Sequence, residues 1–266
     1  MSERRSPRTL RDVSHLFLSG GASERHEPRR GSVCVWIAVA GPAMNRAHFA
    51  AGTAAAFARQ GMGVSLLELC DGLPNIGYYF GMEPAAYLAP ARDRSAVVTG
   101  VWNGSIRYCA SANSASFEQR CAEPIPSVGA QALLAAFPCP RERDAEHAIA
   151  MMAGATAGFN TGSLSSDRKP DAVIAAGCGE SIGRAWAFSA GARKAFPNAA
   201  IVLITDDPNS CRRSEVDEKI VVPRDLRSSW ARRVPPVEPF FGDLAYGILL
   251  MVGQQRRRGM HGAASA

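Results

Sequence analysis

Hydrophobic positions in this chain come as short unbroken runs separated by stretches of helical spacing. Val33 to Ala40 (VCVWIAVA) is apolar throughout and short, which predicts a central strand buried on both faces. Ala47 to Arg59 is alanine-rich, with Phe49 and Phe57 on one helical face, and Val64 to Leu69 returns as a buried strand. The three make one βαβ unit whose strand-to-helix turn spans Gly41 to Arg46. In a parallel sheet that turn lies at the carboxyl edge, where helix N-termini and backbone amides make phosphate sites.

The alternation continues. Ala96 to Ser114 reads as a glycine turn and a strand, Ala145 to Phe159 as a helix, Asp171 to Ala176 as a buried strand. Arg184 to Phe196 is helical, Ala200 to Thr205 (AIVLIT) is a further central strand, and Asp243 to Gln255 is a terminal helix. Ala122 to Asp144 carries prolines and reads as irregular, and Met151 and Met152 read as core filler. This order predicts an α/β fold: a single doubly wound domain, residues 32–255, on a mostly parallel sheet. Residues 1–31 read as a basic N-terminal arm and 256–266 as a basic flexible tail. Within the arm, Leu10, Val13, Leu16, Phe17 and Leu18 form a short amphipathic segment. Two readings of it stay open: a peptide that docks on a partner, and a helix folded back on the domain.

Composition narrows the classes. The 266 residues are 47% hydrophobic, enough to build one core, with no apolar run long enough to span a bilayer and no apolar signal-like segment at the N-terminus. The formal charge of +6 sits at the ends. Residues 1–30 hold seven arginines against four acids, and Arg256, Arg257 and Arg258 supply the rest. The body is neutral, which by composition is not a nucleic-acid surface. The seven cysteines (Cys34, Cys70, Cys109, Cys121, Cys139, Cys178, Cys211) form no C-x-x-C pair, so buried reduced thiols are expected rather than disulfides or a metal cluster.

Residues 33–75 also carry a likeness. The strand, the helix bearing Ala54 to Gly61 (AAAFARQG) and the strand end with Gly72, Leu73 and Asn75 resemble the opening of the MinD/ParA class of deviant Walker, P-loop ATPases. In that class the turn reads G-K-G-G-x-G-K-T-[ST] and the second strand ends in D-x-D-x-G-L-x-N. Ile76 to Pro84, the Asp206 to Ser210 turn and Val221 to Asp225 extend the resemblance. The ungapped register places the loop lysine on Arg46, the deviant lysine on Gly41, the magnesium hydroxyl on Ala47, and the two aspartates on Glu68 and Cys70. The Walker B aspartate falls on Ala176. The adenine-side helix and strand find no room between Ser210 and Lys219.

Each departure has a chemical consequence. Pro42 lacks the N–H that a phosphate loop donates, and Ala43 and Asn45 stand where glycines would permit positive φ. Arg46 offers a planar fork in place of a point charge. Ala47 removes the metal ligand. The expectation is a retained fold with a dismantled site: a non-catalytic pseudo-ATPase, with no cofactor unless ATP and magnesium still bind the degenerate positions. The resemblance implies a scaffold, regulator or positioning protein for a polar or membrane-associated machine such as a flagellum, pilus, secretion system or cellulose synthase. It implies a cytoplasmic protein, peripheral at the inner membrane or pole, with a protein partner on the arm or dimer face, and a homodimer. The rival from the same positions is a residual nucleotide-binding switch.

Two further motifs compete. Gly179-Glu180-Ser181-Ile182-Gly183 satisfies G-x-S-x-G, a hydrolase nucleophile elbow, with Asp206 or Asp207 as acid and His261 as the later histidine. The pattern is short enough to arise by chance in a glycine-rich chain. Gly177, Gly179 and Gly183 mimic a dinucleotide loop at the wrong spacing. The terminal helix, apolar from Leu244 to Val252 and then basic, fits either a membrane-surface contact or a last packing helix, and packing is favoured.

Overall fold

The computed structural model describes residues 32–41, 43–69, 76–80, 97–101, 104–110, 130–157, 169–209, 214–222 and 239–263. All lie in the second of the two units into which the chain divides, Gly31–Ala266. The arm, with Leu10, Val13, Leu16 and Phe17, lies outside the described residues, as does Cys70.

Eight strands form one sheet: β1 (Val33–Ala40), β2 (Gly63–Glu68), β3 (Val97–Val101), β4 (Gly104–Ala110), β5 (Ala132–Pro138), β6 (Ala172–Gly177), β7 (Ala200–Thr205) and β8 (Glu218–Val221). Their order is β3-β4-β2-β5-β1-β6-β7-β8. Seven run parallel, and β3 pairs antiparallel with β4 at one edge. The helices are α1 (Ala43–Arg59), α2 (Ala145–Ala157), α3 (Ile182–Ala195) and α4 (Pro239–Ala263), with a short 3-10 turn at Ile76–Phe80.

β1 sits in the middle because both its faces are apolar. Val33, Val35, Ile37 and Val39 point into a core shared with Ala50, Phe57, Phe241 and Ile248 of α1 and α4. Trp36, Ala38 and Ala40 point into a second core with Met152 of α2, and Phe188 and Ala192 of α3. The period of two along one strand thus assigns a helical layer to each face. Met152 is fully buried and Met151 packs beside it, as core filler should.

Four sequence expectations change. β5 lies in the stretch read as irregular. Its alanines and leucines lack the β-branched signal of a strand, and prolines bracket it. Its position between β1 and β2 buries both faces and supplies the missing drive. The segment around Gly100 is a β3–β4 hairpin rather than one strand. β8 is a four-residue strand, Glu218–Val221, that the apolar pattern did not mark. The last helix is longer than its apolar run, from Pro239 to Ala263, so Arg256, Arg257 and Arg258 stand on a helix and not in a tail.

Candidate functional site

The carboxyl edge of the sheet gathers Gly41 after β1, Glu68 and Leu69 at the end of β2, Cys139 after β5, Cys178 after β6, and Asp206 after β7. The expected turn from Gly41 to Arg46 is contracted. Gly41 takes φ +135°, in the region that favours glycine, and α1 begins at Ala43. Backbone that a phosphate loop would leave as converging amides is here the first turn of a helix. Asn45 lies in that turn, and Ala47 is fully buried.

Arg46 is the unusual residue of this turn. Only 6% of it is exposed, its Nε is buried with no hydrogen-bond partner, and the first turn of α1 contains no acidic residue.

Glu68 is wholly buried and engaged. Its Oε2 accepts hydrogen bonds from the Ile76 amide, at 3.0 Å, and from the Tyr108 hydroxyl on β4. It therefore ties β2 to the 3-10 turn and to the neighbouring strand. Tyr108 was not foreseeable as its partner, since nothing in the spacing of β2 and β4 reveals that they pair.

Metal ligands are also wanting among the described residues at the ends of the two strands that flank β1, of which β6 was the expected place for the Walker B aspartate. β5 ends in Phe137, Pro138 and Cys139, and β6 in Ala176, Gly177 and Cys178. Asp206 beyond β7 accepts the Gly179 amide at 2.9 Å. No group of three metal-ligating side chains exists among the described residues. A shallow depression lined by Val39, Ala40, Phe49, Gly177, Cys178 and Val222 encloses about 10 Å³, room for about one water molecule. The described residues thus do not fit a magnesium-bound triphosphate.

Ser181, the candidate nucleophile, is engaged with backbone groups. Ser181 Oγ lies 2.7 Å from the Cys178 carbonyl and 3.1 Å from the Ala40 carbonyl, to which its hydroxyl donates, and it accepts the Cys178 amide at 3.0 Å. It is a cap joining the 3-10 turn Gly179–Ser181 to the end of β1. His261 belongs to the far end of α4. That helix starts at the carboxyl edge, where Phe241 meets Phe49 with ring centroids 5.5 Å apart. Fifteen residues later its Arg256 pairs with Asp171 at 2.7 Å and donates to the Ser32 carbonyl at 2.8 Å, at the amino edge. Ser181 stands at the carboxyl edge, and His261 follows Arg256 on α4 beyond the contact at the amino edge. Gly177 is likewise structural: a Cβ there would lie 2.9 Å from Ile182 Cα, so the glycine lets α3 approach β6.

The apolar face of α4 is turned inward. Phe241, Leu244, Ala245, Ile248 and Val252 are buried against α1 and the sheet, leaving Tyr246 and Leu250 as its exposed large apolar residues. This is a packing helix, and no described helix is long and apolar enough to cross a membrane. Cys34, Cys139 and Cys178 are free thiols. Burial pushes the Cys139 thiol up to about 12, with Arg184 pulling the other way.

Comparison with known proteins agrees on the architecture. No family model and no curated protein matches the chain. Among solved structures, it is similar to the septum site-determining protein MinD complexed with Mg-ADP from Pyrococcus horikoshii OT3. The TM-score is 0.51 at 12% identity, over 83% of this chain and 94% of that one. The MinC:MinD cell division protein complex of Aquifex aeolicus gives 0.49 at 14% identity, over 86% of this chain and 96% of that one. The Pyrococcus furiosus cell division ATPase MinD gives 0.49 at 11% identity, over 85% and 99%. The class defined is an α/β protein with the MinD-like P-loop NTPase fold.

Proposed function

We propose that this protein is a non-catalytic, MinD-like pseudo-ATPase that acts as a scaffold, regulator or positioning protein for a polar or membrane-associated machine. The observation that carries the proposal is the make-up of the carboxyl edge among the described residues. Both strands beside β1 end without a carboxyl group, Glu68 is bound to Tyr108 and Ile76, and helix has replaced the turn that would cradle phosphates. A fold that keeps two full cores while its reactive edge is rebuilt is suited to presenting surfaces. Partners of the arm or a second copy of the chain are the natural recipients. The machine served, whether flagellum, pilus, secretion system or cellulose synthase, is a matter for partner identification.

One observation favours the rival. Arg46 stands where the resemblance places the loop lysine, and its Nε is buried without a hydrogen-bond partner, which fits a residual nucleotide switch. Calorimetry with ATP and ADP, with and without magnesium, separates the two. The pseudo-ATPase reading expects no heat at millimolar nucleotide, an affinity weaker than about −4 kcal/mol. Micromolar magnesium-dependent binding abolished by Arg46→Ala would overturn it.

A further inference from the structure

The outward side of α4 takes no part in the core. Its inner side is buried against α1 and the sheet, yet Tyr246 and Leu250 stand 57% and 48% exposed, the most exposed large apolar side chains among the described residues. Four residues apart on one helix, they share a face. That face continues in both directions through Asp243, Gln254 and Arg257, all exposed. The steps along the row are three, four, four and three residues, so it is symmetric about Leu250 in spacing and opposite in charge at its two ends. Asp243 and Arg257 lie about 21 Å apart along the helix, too far to pair within one chain. Among the described residues neither of them is in an ion pair. Gly247 and Gly253, each three residues from Leu250, repeat the symmetry, and a Cβ on either would meet nothing within 4 Å.

We infer that α4 is the interface of a symmetric homodimer, in which a second copy of this chain lays its own α4 antiparallel across the first. A two-fold axis at Leu250 sets Leu250 against Leu250, Tyr246 against Gln254, and Asp243 against Arg257, the last two pairs each formed twice. Complementarity is the reason to choose a second copy over an unrelated protein: the row matches its own reverse, apolar at the centre and oppositely charged at the ends, as a two-fold contact requires. Gly247 meets Gly253 in the same register, which lets the two helices approach closely. An anionic bilayer would attract the arginines but repel Asp243, and it makes no use of the symmetry. A contact of about four helical turns is small beside the roughly 1,200 Å² of a stable interface, so the dimer is expected to be weak and concentration-dependent. The inference goes beyond the scaffold reading, which names no surface for a second copy, and stands or falls without it.

The test is sedimentation equilibrium of the full chain without nucleotide, from micromolar to millimolar concentration. Leu250→Glu, which sets two carboxylates face to face at the axis, is expected to weaken dimerisation at least tenfold. Asp243→Arg and Arg257→Asp each place like charges opposite one another, and each is expected to weaken it severalfold. The double variant Asp243→Arg/Arg257→Asp is expected to recover nearly the wild-type value, because the reversed ends still match. An effect of net charge alone would move the two single variants in opposite directions. All three positions are exposed, and an unchanged Tm shows that each variant keeps the fold. A wild type that stays monomeric at millimolar concentration would overturn the inference, as would a dimer that Leu250→Glu leaves intact. Flotation of the wild type with phosphatidylglycerol vesicles, lost in Leu250→Glu and without a dimer in solution, would assign this face to a membrane surface instead. A dimer that forms only with ATP and magnesium would overturn both this inference and the pseudo-ATPase reading; the other outcomes leave that reading untouched.

Discussion

The Tyr108 hydroxyl on β4 donates to the Oε2 of Glu68 at the end of β2, and the same oxygen receives the Ile76 amide. A side chain at a position expected to serve magnesium is thereby a brace between two strands and the 3-10 turn that follows β2. That turn carries Tyr79, whose ring meets His48 of α1 edge-on at 5.4 Å, so the brace reaches the helical layer.

Removing either end of this brace leaves a buried polar group unmatched. Tyr108→Phe is expected to lower stability by about 1–3 kcal/mol, measured as a shift of the urea midpoint at unchanged m-value. Glu68→Asp, which places there the aspartate of the MinD/ParA pattern, shortens the reach to both partners. It should also destabilise, and should bring no ATP-dependent heat. A Glu68→Asp protein that gained nucleotide binding at undiminished stability would show the position to be a ligand site after all.

Ser181 is expected to resist a fluorophosphonate probe in the native protein, because its hydroxyl caps backbone groups and His261 lies at the other end of the sheet. Ser181→Ala should cost about 0.5–1.5 kcal/mol, the range for losing a hydrogen bond. Stoichiometric labelling that disappears in Ser181→Ala would reverse this assignment.

Helix packing offers a paired test on glycines. A Cβ on Gly52 would overlap the ring of Phe241, which is 1% exposed and has nowhere to move. Gly52→Ala should therefore destabilise by about 1–3 kcal/mol despite alanine's better helix propensity. Gly154 on α2 is exposed and has no atom within 4 Å of such a Cβ. Gly154→Ala should stabilise by about 0.5–1 kcal/mol. Equal effects at both sites, read from thermal unfolding, would mean that α4 does not pack on α1 as described.

The Cys139 thiol gives a pH signature. Its value is raised from 9.0 to about 12 by burial, so the folded protein holds the proton that the unfolded chain releases. Its contribution is fully present below 9.0 and is lost as pH rises toward about 12. The slope is about 1.4 kcal/mol per pH unit from this group. Cys139→Ala should flatten the decline, seen by comparing urea midpoints at neutral and alkaline pH. Parallel pH curves for the two proteins would show that Cys139 is accessible to water in the folded state.

Local pattern determined much of this protein. Unbroken apolar runs marked β1, β6 and β7, and helical spacing marked α1, α2 and α3, because a strand buried on both faces and an amphipathic helix differ in period within a few residues. The same register located Arg46, Glu68 and Ala47 at the carboxyl edge of the sheet. Only the tertiary structure decided what those residues do. β5 became a strand through burial between β1 and β2, against a weak propensity. Glu68 became a brace because strand order brought Tyr108 beside it, and Ser181 and His261 were parted because α4 runs the length of the sheet. These outcomes depend on contacts between residues far apart in the chain, and a linear pattern carries no distance between its segments. The burial of Arg46 is of the same kind: the sequence shows an arginine in place of a lysine, and only packing shows that its Nε is buried without a hydrogen bond.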